Sequence, residues 1–190
     1  MIPLTMLCLL MAISIMSAQS HKKLSISTSI GIVPTYTGKN VKTEVPPLSI
    51  HLDYKLSNNF SLGAYAGYTA ATSKPRLLTD GIVSQVENKT ANFALRGAFH
   101  RDMTDKLAIH GGILLGYSAF NTKEMDADSG EKIVRERNVP SPYDPDAPKG
   151  QPFYAGFVGG KYSLGNVASL TAEIGGGTSI VSFGLSFSIK

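Results

Sequence analysis

Tryptophan is absent from this sequence, cysteine occurs once, and charged side chains make up only 17% of its 190 residues. A globular domain usually carries about 25% charged residues, so the deficit points to a chain with little water-facing surface. The one cysteine, Cys8, lies in an apolar N-terminal run, and Thr5-Met6-Leu7 before it lacks the small residues of a lipoprotein cleavage site. Beyond that run there is no thiol, disulfide or cysteine-based metal site. The net charge of +4 is modest and the basic residues are scattered. Without a stripe of basic and aromatic side chains, nothing suggests binding to nucleic acid. No helical period appears after residue 23. Gly-x-Ser-x-Gly, His-Glu-x-x-His and paired-carboxylate patterns are missing, which argues against an enzyme. No motif implies a cofactor.

What is present begins with a leader. Residues 1–18 carry no charge, Ile2 to Met16 is almost wholly apolar, and Ser17-Ala18-Gln19 supplies small residues for cleavage. This reads as a signal peptide over 1–18 followed by one domain over 19–190. The other reading is a buried N-terminal helix, but the run is short for a membrane span, polar His21-Lys22-Lys23 follows at once, and no amphipathic period is seen.

Period two dominates the rest, as in half-buried strands. In Leu48-Ser49-Ile50-His51-Leu52-Asp53-Tyr54-Lys55-Leu56 every even position is apolar and every odd one polar. Eight such segments are expected, at about 24–34, 46–56, 60–72, 88–100, 107–120, 153–162, 167–175 and 180–189. Tight polar turns (Ser57-Asn58-Asn59, Asp102-Met103-Thr104-Asp105 and Leu164-Gly165-Asn166) alternate with long connections at 35–45, 73–87 and 121–152. The last connection of that second set, near Gly175-Gly176-Gly177, is short. Short turns on one side and long loops on the other predict an all-β, eight-stranded antiparallel up-and-down transmembrane barrel.

The composition of the two faces supports a membrane barrel over a soluble one. The apolar face, for example Ile50, Leu52, Leu62, Phe93, Leu95, Ile113, Leu115, Val158, Ile174 and Leu185, carries no charge. A charge at the bilayer midplane would cost about 2–4 kcal/mol. The other face is polar but small, rich in Ser and Gly, which suits a narrow barrel interior. Aromatic residues border the apolar band. Tyr54, Phe60, Phe99, Tyr162 and Phe187 fall near the tight turns; Tyr68, Tyr117 and Tyr154 fall near the long loops. Eight steps of ~3.3 Å from Phe60 to Tyr68, tilted by ~40°, span roughly 20 Å, near the ~25 Å apolar band of such barrels.

The stretch Pro46-Pro47-Leu48-Ser49-Ile50-His51-Leu52-Asp53-Tyr54-Lys55-Leu56, then Asn58-Asn59-Phe60-Ser61-Leu62-Gly63-Ala64-Tyr65-Ala66-Gly67-Tyr68, resembles the second and third strands of small outer-membrane β-barrel proteins common in Bacteroidetes, within the broad group of OmpA-like and OmpX-like barrels. Gly111-Gly112-Ile113-Leu114-Leu115-Gly116-Tyr117 and the ending Gly184-Leu185-Ser186-Phe187-Ser188-Ile189 are similar too. The resemblance covers 24–190 and is specific for architecture more than for activity. It implies contact with outer-membrane lipid, both termini in the periplasm, and insertion by the outer-membrane assembly machinery through a C-terminal strand signal.

Six polar residues with titratable or charged groups fall on the expected interior: His51, Asp53, Arg96, His110, Lys161 and Glu173. They form either a salt-bridged plug, since buried charges need partners, or a lumenal gate or ligand site. Asp126-Ala127-Asp128-Ser129-Gly130 resembles the opening of a calcium loop but lacks the third acidic position and the Glu at twelve; solvated loop charge is the simpler reading. Asn88-Lys89-Thr90 matches a glycosylation acceptor, yet it begins a strand. Ser118 and His100 are candidates for lipid-modifying chemistry by residue type alone. The expected function is a non-enzymatic outer-membrane barrel with a structural, envelope or surface-interaction role, its surface partner unnamed. The alternatives are a narrow passive channel or small-ligand-carrying barrel, and a soluble ligand-binding barrel.

Overall fold

The computed structural model describes residues 24–35, 41–78, 80–135 and 141–189. The leader, and the cleavage expected after Ala18, lie outside them. Among the described residues nine strands follow one another: β1 (Leu24–Pro34), β2 (Val41–Lys55), β3 (Phe60–Ser73), β4 (Arg76–Leu77), β5 (Val83–Asp102), β6 (Leu107–Asp126), β7 (Gly150–Ser163), β8 (Ala168–Gly175) and β9 (Ser179–Ile189). All pair antiparallel. β1 pairs with β9 and β3 pairs with β5, so the sheet closes into an eight-stranded barrel with the two-residue β4 hanging on β5.

The barrel is inside-out relative to a water-soluble core. Phe93 is 59% exposed, Leu95 65%, Val158 60% and Ile174 59%. Ser27, Ser61, Thr69, Thr90, Asn92, Ser169, Thr171 and Ser186 are buried. Period two produces this directly, because each strand sends alternate side chains to opposite faces. Small inward residues let the walls approach closely.

Three tight turns share one geometry. Leu56 N–H donates to Phe60 O, Met103 N–H to Leu107 O, and Leu164 N–H to Ala168 O, each spanning four residues. In the second, the Thr104 hydroxyl also accepts from the Leu107 N–H at 3.0 Å.

Several expected boundaries need correction. β2 begins at Val41, β5 at Val83 and β7 at Gly150, and β6 runs on to Asp126. The expected loop 73–87 is mostly a β4–β5 hairpin, and the expected loop 121–152 shrinks to 127–149. Above the apolar band both faces of the β5–β6 ribbon are polar, as in the opposed pairs Glu87–Lys123 and Asn88–Thr122. The backbone ladder continues there although the hydrophobic alternation has stopped. In β2 the pairing with β3 skips across Val45 to Leu48, a bulge at Pro46-Pro47, which have no N–H to donate.

Candidate lumenal site

Arg96 on β5 sits at mid-height in the lumen and is 2% exposed. Its guanidinium forks onto Glu173 on β8, from the opposite wall, with Nη2 2.6 Å from Oε1 and Nη1 3.4 Å from Oε2. Its Nε lies 3.3 Å from Asp53 Oδ1, an ion-pair distance without hydrogen-bond alignment. The face of the Phe157 ring packs against the guanidinium, 3.7 Å from ring centroid to Cζ. The Glu173 carboxylate also accepts from His110 Nε2 at 2.8 Å. His51 Nε2 is 3.9 Å from Asp53 Oδ2, and among the described residues its buried Nδ1 has no hydrogen-bond partner. Five of the six expected interior residues therefore form one ionic cluster. The sixth, Lys161, donates from Nζ to Ser186 Oγ at 3.0 Å.

Directly against this cluster lies an apolar plug of Tyr65, Ala98, Leu114 and Phe157. Above it, a turn closes the lumen. β8 has 8 residues and β9 has 11, against 20 each in β5 and β6. The short β8–β9 turn crosses the barrel to the facing wall, formed by β3 and β5. There Thr178, 1% exposed, gives its backbone N–H to the Tyr65 hydroxyl at 3.0 Å. Its Oγ1 bonds the same hydroxyl at 2.8 Å and accepts from Asn92 Nδ2 at 3.4 Å. Gly177 takes a φ of +122°, a conformation that favours glycine. A Cβ at Gly67 would collide with Thr178 Oγ1. On the near side, Thr35 Oγ1 donates to Gly177 O at 2.5 Å.

Below the ionic cluster the lumen opens toward the tight turns as a cavity of about 830 Å³. Ser25, Ser27, Ser61, Ser169, Ser186 and Ser188 are among its wall residues, and His51, His100 and His110 line it as well.

Outside the barrel wall, the eight expected border aromatics fall on two levels. Phe60 is paired with Phe99, their ring centroids 4.9 Å apart, and Tyr162 with Leu107. Tyr54 pairs with Leu24 and Phe187 with Ile26 on the same level. Tyr68 pairs with Ala91, Tyr117 with Phe93 and Tyr154 with Leu115 on the other. Tyr154 is 87% exposed, whereas Tyr54 and Phe60 are half-buried.

The fold is that of the small outer-membrane β-barrels. OprG of Pseudomonas aeruginosa matches with a TM-score of 0.51 at 10% identity, over 88% of this chain and 90% of that one. Neisserial surface protein A matches at 0.46 and 10% identity, over 90% of this chain and 100% of that one. Ail of Yersinia pestis, solved with the heparin analogue sucrose octasulfate, matches at 0.44 and 12% identity, over 86% and 92%. No protein-family model matches the chain, and no curated protein matches it in sequence. At such identities the likeness is one of fold. No helix among the described residues is long and apolar enough to cross a membrane; in this fold strands do the crossing.

The remaining candidates separate clearly. Asp126 Oδ1 accepts from the backbone N–H groups of Asp128 and Ser129 and from the Ser129 hydroxyl, so this carboxylate is engaged in holding its own turn. These bonds hold Asp126 below the usual carboxylate range. Asn88 lies inside β5, where its Oδ1 accepts from the Thr122 hydroxyl. Ser118 is buried on the lumenal face, and His100 Nε2 is bonded to Ser61 Oγ at 2.7 Å.

Two features escaped sequence reasoning. Strict alternation through Val158 does place Phe157 in the lumen, but nothing in Gly175-Gly176-Gly177-Thr178 distinguishes a crossing turn from an ordinary hairpin. The other is a clamp at the long-loop end. Arg135 forks onto the buried Glu124 of β6, with Nε 2.8 Å from Oε2 and Nη2 2.8 Å from Oε1. Its Nη1 bonds Asp80 of the β4–β5 turn. The two carboxylates raise the Arg135 pKa above its ordinary value. Arg135 and the Ile82 N–H in turn hold the Asp80 carboxyl below the usual carboxylate range. Neither Asp80 nor Arg135 shows a periodic signal in sequence.

Proposed function

We propose that this chain is a closed, non-enzymatic outer-membrane barrel with an envelope-structural or surface-interaction role. It is synthesised with a leader removed after Ala18 and inserted by the outer-membrane assembly machinery. The resemblance of its strands to the Bacteroidetes barrels supports that placement. The aromatic levels serve as interface anchors, and both termini and the tight turns face the periplasm, with the β5–β6 ribbon outside.

The observation that carries this reading is the doubly closed lumen. A charged plug and an apolar plug stand in series, and the β8–β9 turn crosses above them to Tyr65 and Asn92. A conducting pore needs a continuous wet path, and this arrangement interrupts it. Planar-bilayer recording tests the point. The folded protein should give no steady single-channel conductance, and stable unitary steps at neutral pH would support the channel alternative. The cavity open toward the tight turns favours one second reading, a barrel that carries a small ligand on that side.

A further inference from the structure

We propose that the cavity at the tight-turn end binds a phosphate group, free or carried by a small hydroxyl-rich phosphomonoester, between Lys55 and Lys161. The inference rests on the second reading above, in which this cavity carries a small ligand. Among the described residues its charged lining consists of Lys55, Arg96 and Lys161 against Asp53, Asp102 and Glu173. The two signs are not spread evenly. Arg96 engages both Glu173 and Asp53, so the floor holds one fixed positive charge against two carboxylates. Nearer the mouth, Lys55 and Lys161 stand against Asp102 alone, which leaves a positive surplus there.

The two lysines face each other. From β2 to β7 the ring runs through β1, β9 and β8 one way and through β3, β5 and β6 the other, which sets them on opposite walls. Their heights agree as well. Followed one way, the cross-strand partners of Lys161 are Thr171, Gly184, Ser29 and finally Ser49 on β2. Followed the other way they are Ala108 and Asp102, beyond the last β3–β5 pair and level with the β2–β3 turn. In a sheared barrel two such routes climb and descend alike. The level of Lys161 on β2 therefore lies between Ser49 and the turn, where Lys55 stands. Among the described residues the Lys55 ammonium has no ion-pair or hydrogen-bond partner, and Lys161 Nζ donates to Ser186 Oγ at 3.0 Å.

This arrangement selects a phosphate group. An ammonium has three donors and no acceptor, and a serine hydroxyl can turn to donate. Ser25, Ser163, Ser186 and Ser188 line the cavity along with the two lysines. Donors that converge from opposite walls suit a tetrahedral oxyanion, whose oxygens point in all directions. A planar carboxylate is better met by one arginine fork, and Arg96 already spends its fork on Glu173. The floor carboxylates keep the anion up at the level of the lysines. At about 830 Å³ the cavity leaves room for the body of an ester, and its serine-rich wall matches hydroxyl groups. Asp102, exposed near the mouth, opposes the anion.

The test uses the purified chain in a nonionic polyoxyethylene detergent and phosphate-free buffer of low ionic strength. Calorimetry should show one inorganic phosphate bound per chain. Lys55→Gln and Lys161→Gln should each weaken it at least fivefold, and Asp102→Asn should tighten it, with folding of each variant checked by heat-modifiable gel mobility. Glucose 6-phosphate and glucose distinguish the sources. Tighter binding of the ester than of inorganic phosphate assigns the site to phosphomonoesters, equal binding assigns it to free phosphate, and glucose alone should not bind. Absence of phosphate binding overturns the proposal, as does binding that is unchanged in both folded lysine variants. A chain carrying Cys8→Ser and Ser188→Cys separates this inference from the reading beneath it. A small thiol reagent should modify the new thiol, and phosphate should protect it. Modification without protection overturns the phosphate site and leaves a cavity open to other ligands; no modification in the folded barrel overturns the ligand-carrying reading too.

Discussion

At the scale of single residues, Arg96 and Glu173 have the most to lose. Arg96 is nearly inaccessible and its fork reaches across the lumen. Removing one member of a buried pair leaves the other charge unpaired and typically costs about 3–5 kcal/mol. Glu173→Gln should therefore lower the urea unfolding midpoint of the barrel in lipid vesicles. Arg96→Gln should do the same, and the double variant should lose less than the sum. A coupling energy near zero would mean that lumenal water solvates each charge separately. Asp53 keeps Arg96 partly compensated when Glu173 is neutralised, which places the Glu173→Gln loss toward the lower end of that range.

At the scale of elements, the crossing turn and the loop clamp each depend on one contact that can be removed. Gly67 on β3 leaves room for Thr178, so Gly67→Ala should push the β8–β9 turn out of its seat. Its expected signature is faster hydrogen exchange at the Thr178 amide and an onset of small conductance steps in planar bilayers. A silent Gly67→Ala barrel would show that the ionic and apolar plugs suffice without the turn. The clamp has a pH dependence with a definite sign. Asp80 is held below its ordinary value of 3.8. Its contribution is thus present above that value and is lost as pH falls through the lower folded value. Amides of the 131–133 segment, where Ile133 N–H donates to Glu124 O, should be protected relative to their intrinsic exchange rate at pH 7 and lose that protection as pH falls below 3.8. Asp80→Asn should bring the same loss of protection to neutral pH. Equal protection across that range would mean that Glu124 alone anchors Arg135.

At the scale of the whole molecule, the asymmetry of the barrel predicts how it stands in the envelope. β5 and β6 rise well above the level of Tyr68, Tyr117 and Tyr154, whereas the opposite end has only tight turns. Protease added to intact cells should cut within 127–149 and leave the turns at 56–59, 103–106 and 164–167 untouched. Cutting of the long segment only after the outer membrane is permeabilised would reverse the orientation. Intact mass of the membrane-extracted protein reads the leader in the same preparation: a form beginning at Gln19 is expected, and retention of Met1 would refute cleavage.

Within the apolar band the amino-acid order determined nearly everything about the wall. Alternation at period two decides which side chain meets lipid and which meets the lumen, and a slip of one residue would reverse both faces. That is why the outward Leu, Ile and Phe positions and the inward His51, Asp53, Arg96, His110 and Glu173 are legible in the sequence itself. Outside the band the same code falls silent, because with polar side chains on both faces the β5–β6 ladder needs no hydrophobic alternation, and its extra length carries no strand signal in the sequence. Closure of the barrel decided the rest. Only a closed ring sets Glu173 on β8 across from Arg96 on β5, packs Phe157 against the guanidinium, and brings Thr178 to Tyr65 from the facing wall. These contacts join residues far apart in the chain, up to 113 positions for Thr178 and Tyr65, and depend on lumen width and strand height. Neither quantity is written in any local stretch of sequence.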